Sequence, residues 1–290
     1  MIGEQRRYSQ YTLRNYKFAV DEWDSWLCEN EFFSGDIANV KRTLAKDFII
    51  YLLQKYDRNT LHNKVSALRS FYKFLLATCE CKDNPFANIT LPKKEKSLPI
   101  FLNEKQIVDL LKMPETLFYE KKISDRDAFR DKIILELLYG AGFRISELCG
   151  LCWENVDLKN AYARIIGKGK KERVCPFGKS TANMLELWKN NYLDKPTLKD
   201  FVLASSDSTP LYPRLVQRNL KKYLALAGLP LDITPHKLRH SYATHLINAG
   251  MGLRSLQELL GHSSLSTTQI YTHLSMKKIR QDYNMAHPHS

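Results

Sequence analysis

Apolar residues recur at steps of three and four early in the chain. Leu13, Tyr16, Val20, Trp23 and Leu27 mark one amphipathic helix, and Leu61, Val65, Leu68, Phe71 and Leu75 mark another. Leu44, Phe48 and Tyr51 mark a third between them, and Ser9 and Asn59 stand where helix N-caps are expected. No alternating strand pattern intrudes before about residue 95, so this part reads as a small all-helical bundle. The periodicity breaks at Leu91-Pro92-Lys93-Lys94-Glu95-Lys96-Ser97-Leu98-Pro99, whose prolines and lysines suit an extended connector. Beyond it come helices over Asn103 to Leu111 and Asp127 to Leu138, then strand-like segments over Ala161 to Ile166 and Glu172 to Pro176. Gly167-Lys168-Gly169-Lys170 supplies the turn between those strands. Helical periods then return. Thr234-Pro235 announces a helix whose apolar side is Leu238, Tyr242 and Leu246, Leu253 to Leu260 forms the next with Gly261 as C-cap, and Thr267 to Tyr271 a further short one. The pattern predicts a mainly α protein with a small β-sheet in its second domain: a helical domain over 1–91, a basic linker over 92–101 and a larger domain over 102–290.

Length agrees with two domains, since 290 residues exceed one average core. Charge adds a partner: a formal net charge of +13 and a pI near 9.3 favour a polyanion, without separating DNA, RNA and anionic membrane. No apolar run approaches the roughly 18 residues that span a bilayer, and the polar start Met1-Ile2-Gly3-Glu4-Gln5-Arg6-Arg7 lacks a signal-peptide core, so a cytosolic protein is expected. Thiols stay reduced in that compartment. Cys149-Gly150-Leu151-Cys152 has zinc-ligand or redox spacing, but no second pair completes a tetrahedral site, and the neighbouring Leu148, Leu151 and Trp153 read these cysteines as small buried hydrophobes. Gly178-Lys179-Ser180 resembles the end of a phosphate-binding loop, but Arg173 stands where its first glycine belongs, so no nucleotide cofactor is inferred.

The chemistry-bearing residues lie mostly late in the chain. Two glycines end a helix in Gly140-Ala141-Gly142 and Ser146 is placed to cap the next, which puts Arg144 in a tight connection, as a fork for a phosphate or as a partner of Glu147. Lysines at the hairpin tip reach a nucleic-acid groove or form an exposed charged turn. The connector lysines serve as solvated linker or as a strap along a phosphate backbone. His236 and His240 lie one helical turn apart, but Lys237 replaces the Glu of a zinc-protease helix and Arg239 disfavours a divalent ion, so no metal is inferred. His262 falls on a loop, and Tyr271 reads either as a core tyrosine or as a nucleophile. An arginine, histidines and a tyrosine in this order suit attack by the tyrosine on a phosphodiester.

Four segments then fit one family in order. They are Gly142-Phe143-Arg144-Ile145-Ser146-Glu147-Leu148, Gly167-Lys168-Gly169-Lys170-Lys171-Glu172-Arg173, Thr234-Pro235-His236-Lys237-Leu238-Arg239-His240-Ser241, and Leu259-Leu260-Gly261-His262-Ser263-Ser264 running on to Tyr271-Thr272-His273. They resemble the tyrosine recombinase (phage integrase) family, and within it the Xer recombinases, over nearly the whole chain and with no departure at a catalytic position. The resemblance implies a two-domain clamp around DNA, a SAM-like helical bundle followed by a catalytic domain. It implies Tyr271 as the nucleophile forming a 3′-phosphotyrosyl link, Arg144 and Arg239 on the non-bridging oxygens with His262 donating beside them, Lys168 as the general acid, and His236 orienting the phosphate or accepting the tyrosine proton. Expected DNA contacts are Lys64 and Arg69 on the third helix, Lys93 and Lys94 in the linker, and Lys170 and Arg173 on the hairpin.

The implied reaction needs no metal, ATP or other cofactor and proceeds by strand exchange through a Holliday junction. Implied partners are double-stranded DNA carrying a specific site and three further protomers, with Ser275 to Met285 as the helix lodged in a neighbour. The resemblance leaves open whether a second Xer-type recombinase completes the tetramer and whether a division-associated DNA translocase activates it. There is no room for an arm-site domain before Ser9, which favours chromosome-dimer resolution over phage integration; a mobile-element recombinase is the alternative. Three rivals are distinguishable: a type IB topoisomerase by monomeric relaxation, a DNA-binding repressor by absence of a covalent adduct, and a metal-dependent nuclease by loss of activity in EDTA.

Overall fold

The first apolar periods fold into three helices, α1 (Gln10–Cys28), α2 (Arg42–Lys55) and α3 (Arg58–Ala77), with a 3-10 turn over Ile37–Asn39. The structure is a computed structural model that describes residues 10–30, 33, 35–93, 101–166, 172–206, 209–260, 283 and 285. The chain divides into two units, Met1–Leu98 and Pro99–Ser290, the division falling within the connector read from the sequence.

In the first unit the inward faces of the helices bring Trp23, Leu27, Phe48, Leu61, Val65, Leu68, Tyr72 and Phe86 into one core. The Trp23 ring lies 4.7 Å from Phe48 and 5.1 Å from Phe86, and its indole N–H donates to the Tyr72 hydroxyl at 3.0 Å. That hydroxyl passes the bond on to the Ile37 carbonyl at 2.7 Å, so both buried polar groups are satisfied. The α3 cap is Asp57, not Asn59: the Asp57 carboxylate accepts from the Asn59 and Thr60 amides, which places Asn59 inside the first turn. The other expected cap, Ser9, lies outside the described residues.

The second unit opens with α4 (Glu104–Tyr119), entered through a reciprocal Asn103–Gln106 capping box. It runs beyond the expected end at Leu111, through Pro114, because Pro114 and Leu117 continue its buried face. Packing overrides the missing proline donor. α5 (Asp125–Gly140) is capped by Ser124 and buried on most of its surface. Then come α6 (Ile145–Cys149), a 3-10 turn over Trp153–Asn155, and the strands β1 (Val156–Asp157), β2 (Tyr162–Ile166) and β3 (Glu172–Pro176). These form an antiparallel sheet in the order β1-β2-β3, with Ile165 opposite Arg173 and Ala163 opposite Cys175. Two residues are too short to show an alternation, so β1 gave no sequence signal. The remainder is α7 (Lys179–Asn191), a two-stranded ribbon of β4 (Ala204–Ser206) and β5 (Thr209–Pro210), α8 (Pro213–Leu226), α9 (Pro235–Asn248) and α10 (Leu253–Leu260).

Around α5 the core gathers Leu138, Phe143, Leu185, Trp188, Leu238 and Leu246. A polar tie crosses it. Buried Asp131 accepts from Arg130, from Asn219 at 2.8 Å and from the Tyr223 hydroxyl at 2.5 Å, while Arg130 also donates to the Ser205 carbonyl, so α5, α8 and β4 are pinned together. Cys81 and Cys175 are buried, Cys28 and Cys79 are exposed, and the Cys149 and Cys152 pair is only partly buried, less enclosed than the sequence suggested, because the buried positions around the end of α6 are taken by Leu148, Leu151 and Trp153. Near the C-terminus Tyr283 is fully buried in this same unit and donates to the Gly140 carbonyl at 2.9 Å. The rest of Ser275 to Met285, apart from Met285, lies outside the described residues. Among the described residues no helix is long and apolar enough to cross a membrane.

Candidate active site

The site begins where α5 stops. Gly142 has φ +62°, and a Cβ there would meet Cε1 of the buried Tyr242 ring at 2.6 Å, so both the backbone and the packing require glycine. Phe143 then enters the core and its amide returns to the Leu137 carbonyl at 3.2 Å, which fixes Arg144 at the entrance of α6. Arg144, rather than Ser146, holds the N-cap position, and the Glu147 carboxylate accepts the Arg144 amide at 2.7 Å. The Arg144 guanidinium also donates to Glu147 at 2.8 Å and to the Leu260 carbonyl at 3.3 Å, with its side chain 39% exposed. Pairing with Glu147 and an open fork therefore coexist.

Arg239 approaches from α9, which starts at Pro235 after Thr234 accepts the Lys237 amide at 3.2 Å. Leu238, Tyr242 and Leu246 face inward, and the buried Arg239 side chain donates to the carbonyls of Gly142 and Leu260. Burial, then the guanidiniums of Arg173 and Arg144, push Arg239 down to about 10. Arg173 arrives from β3 on the buried face of the sheet. It donates to both Glu147 oxygens at 2.6 Å and to the Leu259 carbonyl at 3.1 Å. Burial by itself raises the Glu147 carboxyl, but the hydrogen bonds and charge of Arg173 and Arg144 outweigh it and hold Glu147 at about 2.

Two guanidiniums, those of Arg144 and Arg173, thus pair with the Glu147 carboxylate while Arg239 lies beside them on the Leu260 carbonyl, and among these described groups three positive charges less one negative leave two unmatched around the last carbonyls of α10. Such a cluster suits an anion with oxygens in two directions. His236 and His240 lie exposed on the outer side of α9. Among the described residues no group of His, Cys, Asp or Glu is placed to hold a metal ion. Lys168, His262 and Tyr271 lie outside the described residues, and α10 ends at Leu260, two residues before His262.

Several expected DNA contacts have other partners. Lys64 is paired with Glu22 at 2.5 Å, and Arg69 donates to the carbonyls of Phe86 and Ile89 at 3.0 and 2.7 Å, clipping the segment after α3 onto the helix. Arg173 is buried against Glu147 because its register opposite Ile165 turns it inward. Lys93 is exposed; Lys94 and Lys170 lie outside the described residues. The sequence reading missed Glu147 as the hub of the arginines. It also missed an exposed basic face on α8, formed by Arg214, Arg218, Lys221 and Lys222, which the helical spacing of these residues would have revealed.

The model of the phage integrase family matches residues 100–278, and that of the phage integrase N-terminal SAM-like domain matches residues 1–78. The chain belongs to the phage integrase family. Curated relatives of this tyrosine recombinase agree: it is 39% identical over 293 residues to the tyrosine recombinase XerC of Bacillus subtilis (strain 168), covering 98% of this chain and 92% of the relative. A tyrosine recombinase XerC of Staphylococcus epidermidis is 35% identical over 290 residues, covering 99% and 95%. Among solved structures, XerH site-specific recombinase bound to a palindromic difH substrate shares the fold with a TM-score of 0.71 at 21% identity, covering 97% of this chain and 81% of that one. The Tn1549 transposon integrase in complex with a circular intermediate DNA does so at 0.68 and 23%, covering 97% and 96%. The two-domain recombinase architecture and the family establish this phage integrase family member as a site-specific DNA recombinase.

Proposed function

We propose that this recombinase cuts and rejoins DNA through a 3′-phosphotyrosyl intermediate on Tyr271, proceeds through a Holliday junction, and resolves chromosome dimers to monomers in the cytoplasm at cell division. The observation that carries the reading is the convergence of Arg144 and Arg239, from two separate helices, on the Leu260 carbonyl at the end of α10. A scissile phosphate seated there receives donors from both arginines on its non-bridging oxygens, and their positive charge matches the charge that grows on those oxygens during attack. Arg239 is crowded by like charge, so an incoming dianionic transition state relieves repulsion as it forms. No metal is required for that role.

In this reading the Tyr271 hydroxyl attacks phosphorus, losing its proton to His236 or to water, while the 5′ oxygen leaves with a proton from Lys168 and His262 donates to the phosphate. The new phosphotyrosyl ester keeps the energy of the broken bond, so a 5′-hydroxyl from another strand reverses the step without ATP. Lys93 and the α8 face of Arg214, Arg218, Lys221 and Lys222 are exposed and suit the flanking duplex. Four protomers on two sites, of this chain alone or with a second Xer-type recombinase, complete the exchange. The 35–39% identity to XerC recombinases over nearly the full chain supports the chromosomal role.

The test is a nicked suicide duplex carrying candidate chromosomal sites, incubated with the protein in EDTA. We expect an SDS-resistant adduct that maps to Tyr271 and disappears in Tyr271→Phe, with DNA binding retained. In cells depleted of the protein, chromosome dimers should accumulate and be resolved by the wild type but not by that variant. An adduct on another residue would overturn the nucleophile; resolved chromosomes without the protein would overturn the cellular role.

A further inference from the structure

Arg173 is the arginine of the trio whose whole fork is committed inside the protein. Its side chain is 4% exposed, its two terminal nitrogens each meet a Glu147 oxygen at 2.6 Å, and its Nε meets the Leu259 carbonyl at 3.1 Å. With the side chain this enclosed, its fork faces Glu147 and the end of α10 rather than the surface. What it touches lies on both sides of the site. Glu147 holds Arg144 twice, by its amide at 2.7 Å and its guanidinium at 2.8 Å. Leu259 is the penultimate residue of α10, the helix that leads into His262 and on to Tyr271.

We propose that Arg173 is a positioning residue for strand cleavage: from β3 it fixes Glu147, and through it Arg144, and it anchors the end of α10 on which Arg144 and Arg239 converge, so that the parts of the phosphate clasp share one reference point. This rests on the catalytic reading above. A bidentate arginine–carboxylate pair suits the task because its two parallel bonds fix orientation as well as distance. Burial in a sheet register adds rigidity, since β3 is paired to β2 along its length. A reacting group displaced by about 1 Å loses on the order of a hundredfold in rate. Arg173 therefore acts on the turnover step and not on DNA affinity.

The charge environment gives a signature that simple unfolding would not produce. Glu147 is faced by Arg144 at the start of α6, by Arg173 and Cys175 on β3, and by Arg239 on α9. Removing Arg173 takes away its strongest counter-charge, so burial moves the carboxyl upward and its protonation, which releases Arg144, enters the working pH range. In Arg173→Lys a single charge-assisted contact remains, and the shift is smaller.

The experiment compares full-length wild type, Arg173→Gln and Arg173→Lys on the nicked duplex with which the wild type forms its adduct. The readouts are the single-turnover rate of adduct formation at saturating DNA against pH, the Kd against salt, and the melting temperature. We expect Arg173→Gln to slow adduct formation about a hundredfold, to move the acid limb of the rate profile to higher pH, and to leave Kd and its salt slope unchanged. Arg173→Lys should recover part of the rate and part of the limb. A salt slope reduced by about one ion with an unchanged saturated rate would make Arg173 a phosphate contact and overturn the proposal. A loss equal at every pH, tracking the melting temperature and no better in Arg173→Lys, would reduce it to a fold residue. Absence of any adduct from the wild type would overturn the catalytic reading itself; a wild-type adduct with Arg173→Gln unaffected would overturn this inference alone.

Discussion

At Gly142 the left-handed backbone and the facing Tyr242 ring leave no room for a side chain, and the consequence reaches both Arg144 and Arg239. The Gly142 carbonyl accepts from Arg239, and Arg144 follows two residues later. Gly142→Ala should therefore cost on the order of 3 kcal/mol, from the strained φ and from overpacking against a ring that cannot move, read as a lower urea midpoint with unchanged slope. Glu147 carries the opposite hazard. Glu147→Gln leaves Arg173 buried without its counter-charge, and we expect a loss of about 3–5 kcal/mol in the same measurement. Because the folded-state pKa of Glu147 is depressed from 4.5 to about 2, its contribution to stability is present above the unfolded value and is lost as pH falls through that window. Stability curves for Glu147→Gln should accordingly be flatter than wild type on that acid limb; parallel curves would show that the carboxylate is not linked to folding.

Among the helices, α10 is the clearest case of an element whose end gathers side chains from elsewhere in the chain. The last carbonyls of a helix have no partner within it and carry partial negative charge, and here Leu259 and Leu260 accept from Arg173, Arg144 and Arg239. α9 divides its surface three ways: Tyr242 and its apolar neighbours inward, Arg239 toward α10, and His236 and His240 outward. α5 ends at Gly140, whose carbonyl is taken by the buried Tyr283 hydroxyl, so Tyr283 anchors the helix that precedes the arginine loop. Tyr283→Ala should destabilise the isolated protein by about 3–5 kcal/mol and Tyr283→Phe by about 1 kcal/mol, the first for the lost core ring and the second for the lost hydrogen bond. If the isolated protein melted identically in all three forms while only cooperative assembly on DNA fell, Tyr283 would belong to a neighbour's site.

For the whole molecule the dominant quantity is charge. A formal net charge of +13 sits on a chain whose buried arginines are tied to carboxylates and carbonyls, so exposed cations such as Lys93 and the α8 residues Arg214, Arg218, Lys221 and Lys222 are the kind available to displace counterions. Affinity for duplex DNA should fall by about 10³-fold or more between about 50 and 200 mM salt, the dependence of a protein making several phosphate contacts. Replacing Arg214 and Arg218 together with alanine should flatten the slope by about two ions and weaken binding to all sequences alike. A slope unchanged by that double substitution would move the duplex to another face.

The helical periods and the two-unit organisation are written in the sequence, because a helix announces itself by local spacing, and the catalytic order proposed from Arg144 to Tyr271 is read there from the residue types such a reaction needs. The hairpin strands are legible for the same reason, through alternation on either side of a glycine turn. Which long side chains serve DNA is not legible. Lys64, Arg69 and Arg173 have the composition of phosphate ligands, yet Glu22, the carbonyls after α3, and Glu147 reach them from 42, 17 to 20, and 26 residues away. The same holds for Tyr283, whose acceptor lies 143 residues earlier. Local pattern sets what each segment becomes; a flexible cation or a lone tyrosine takes whichever acceptor the folded chain brings to it, and that is decided only when distant segments meet.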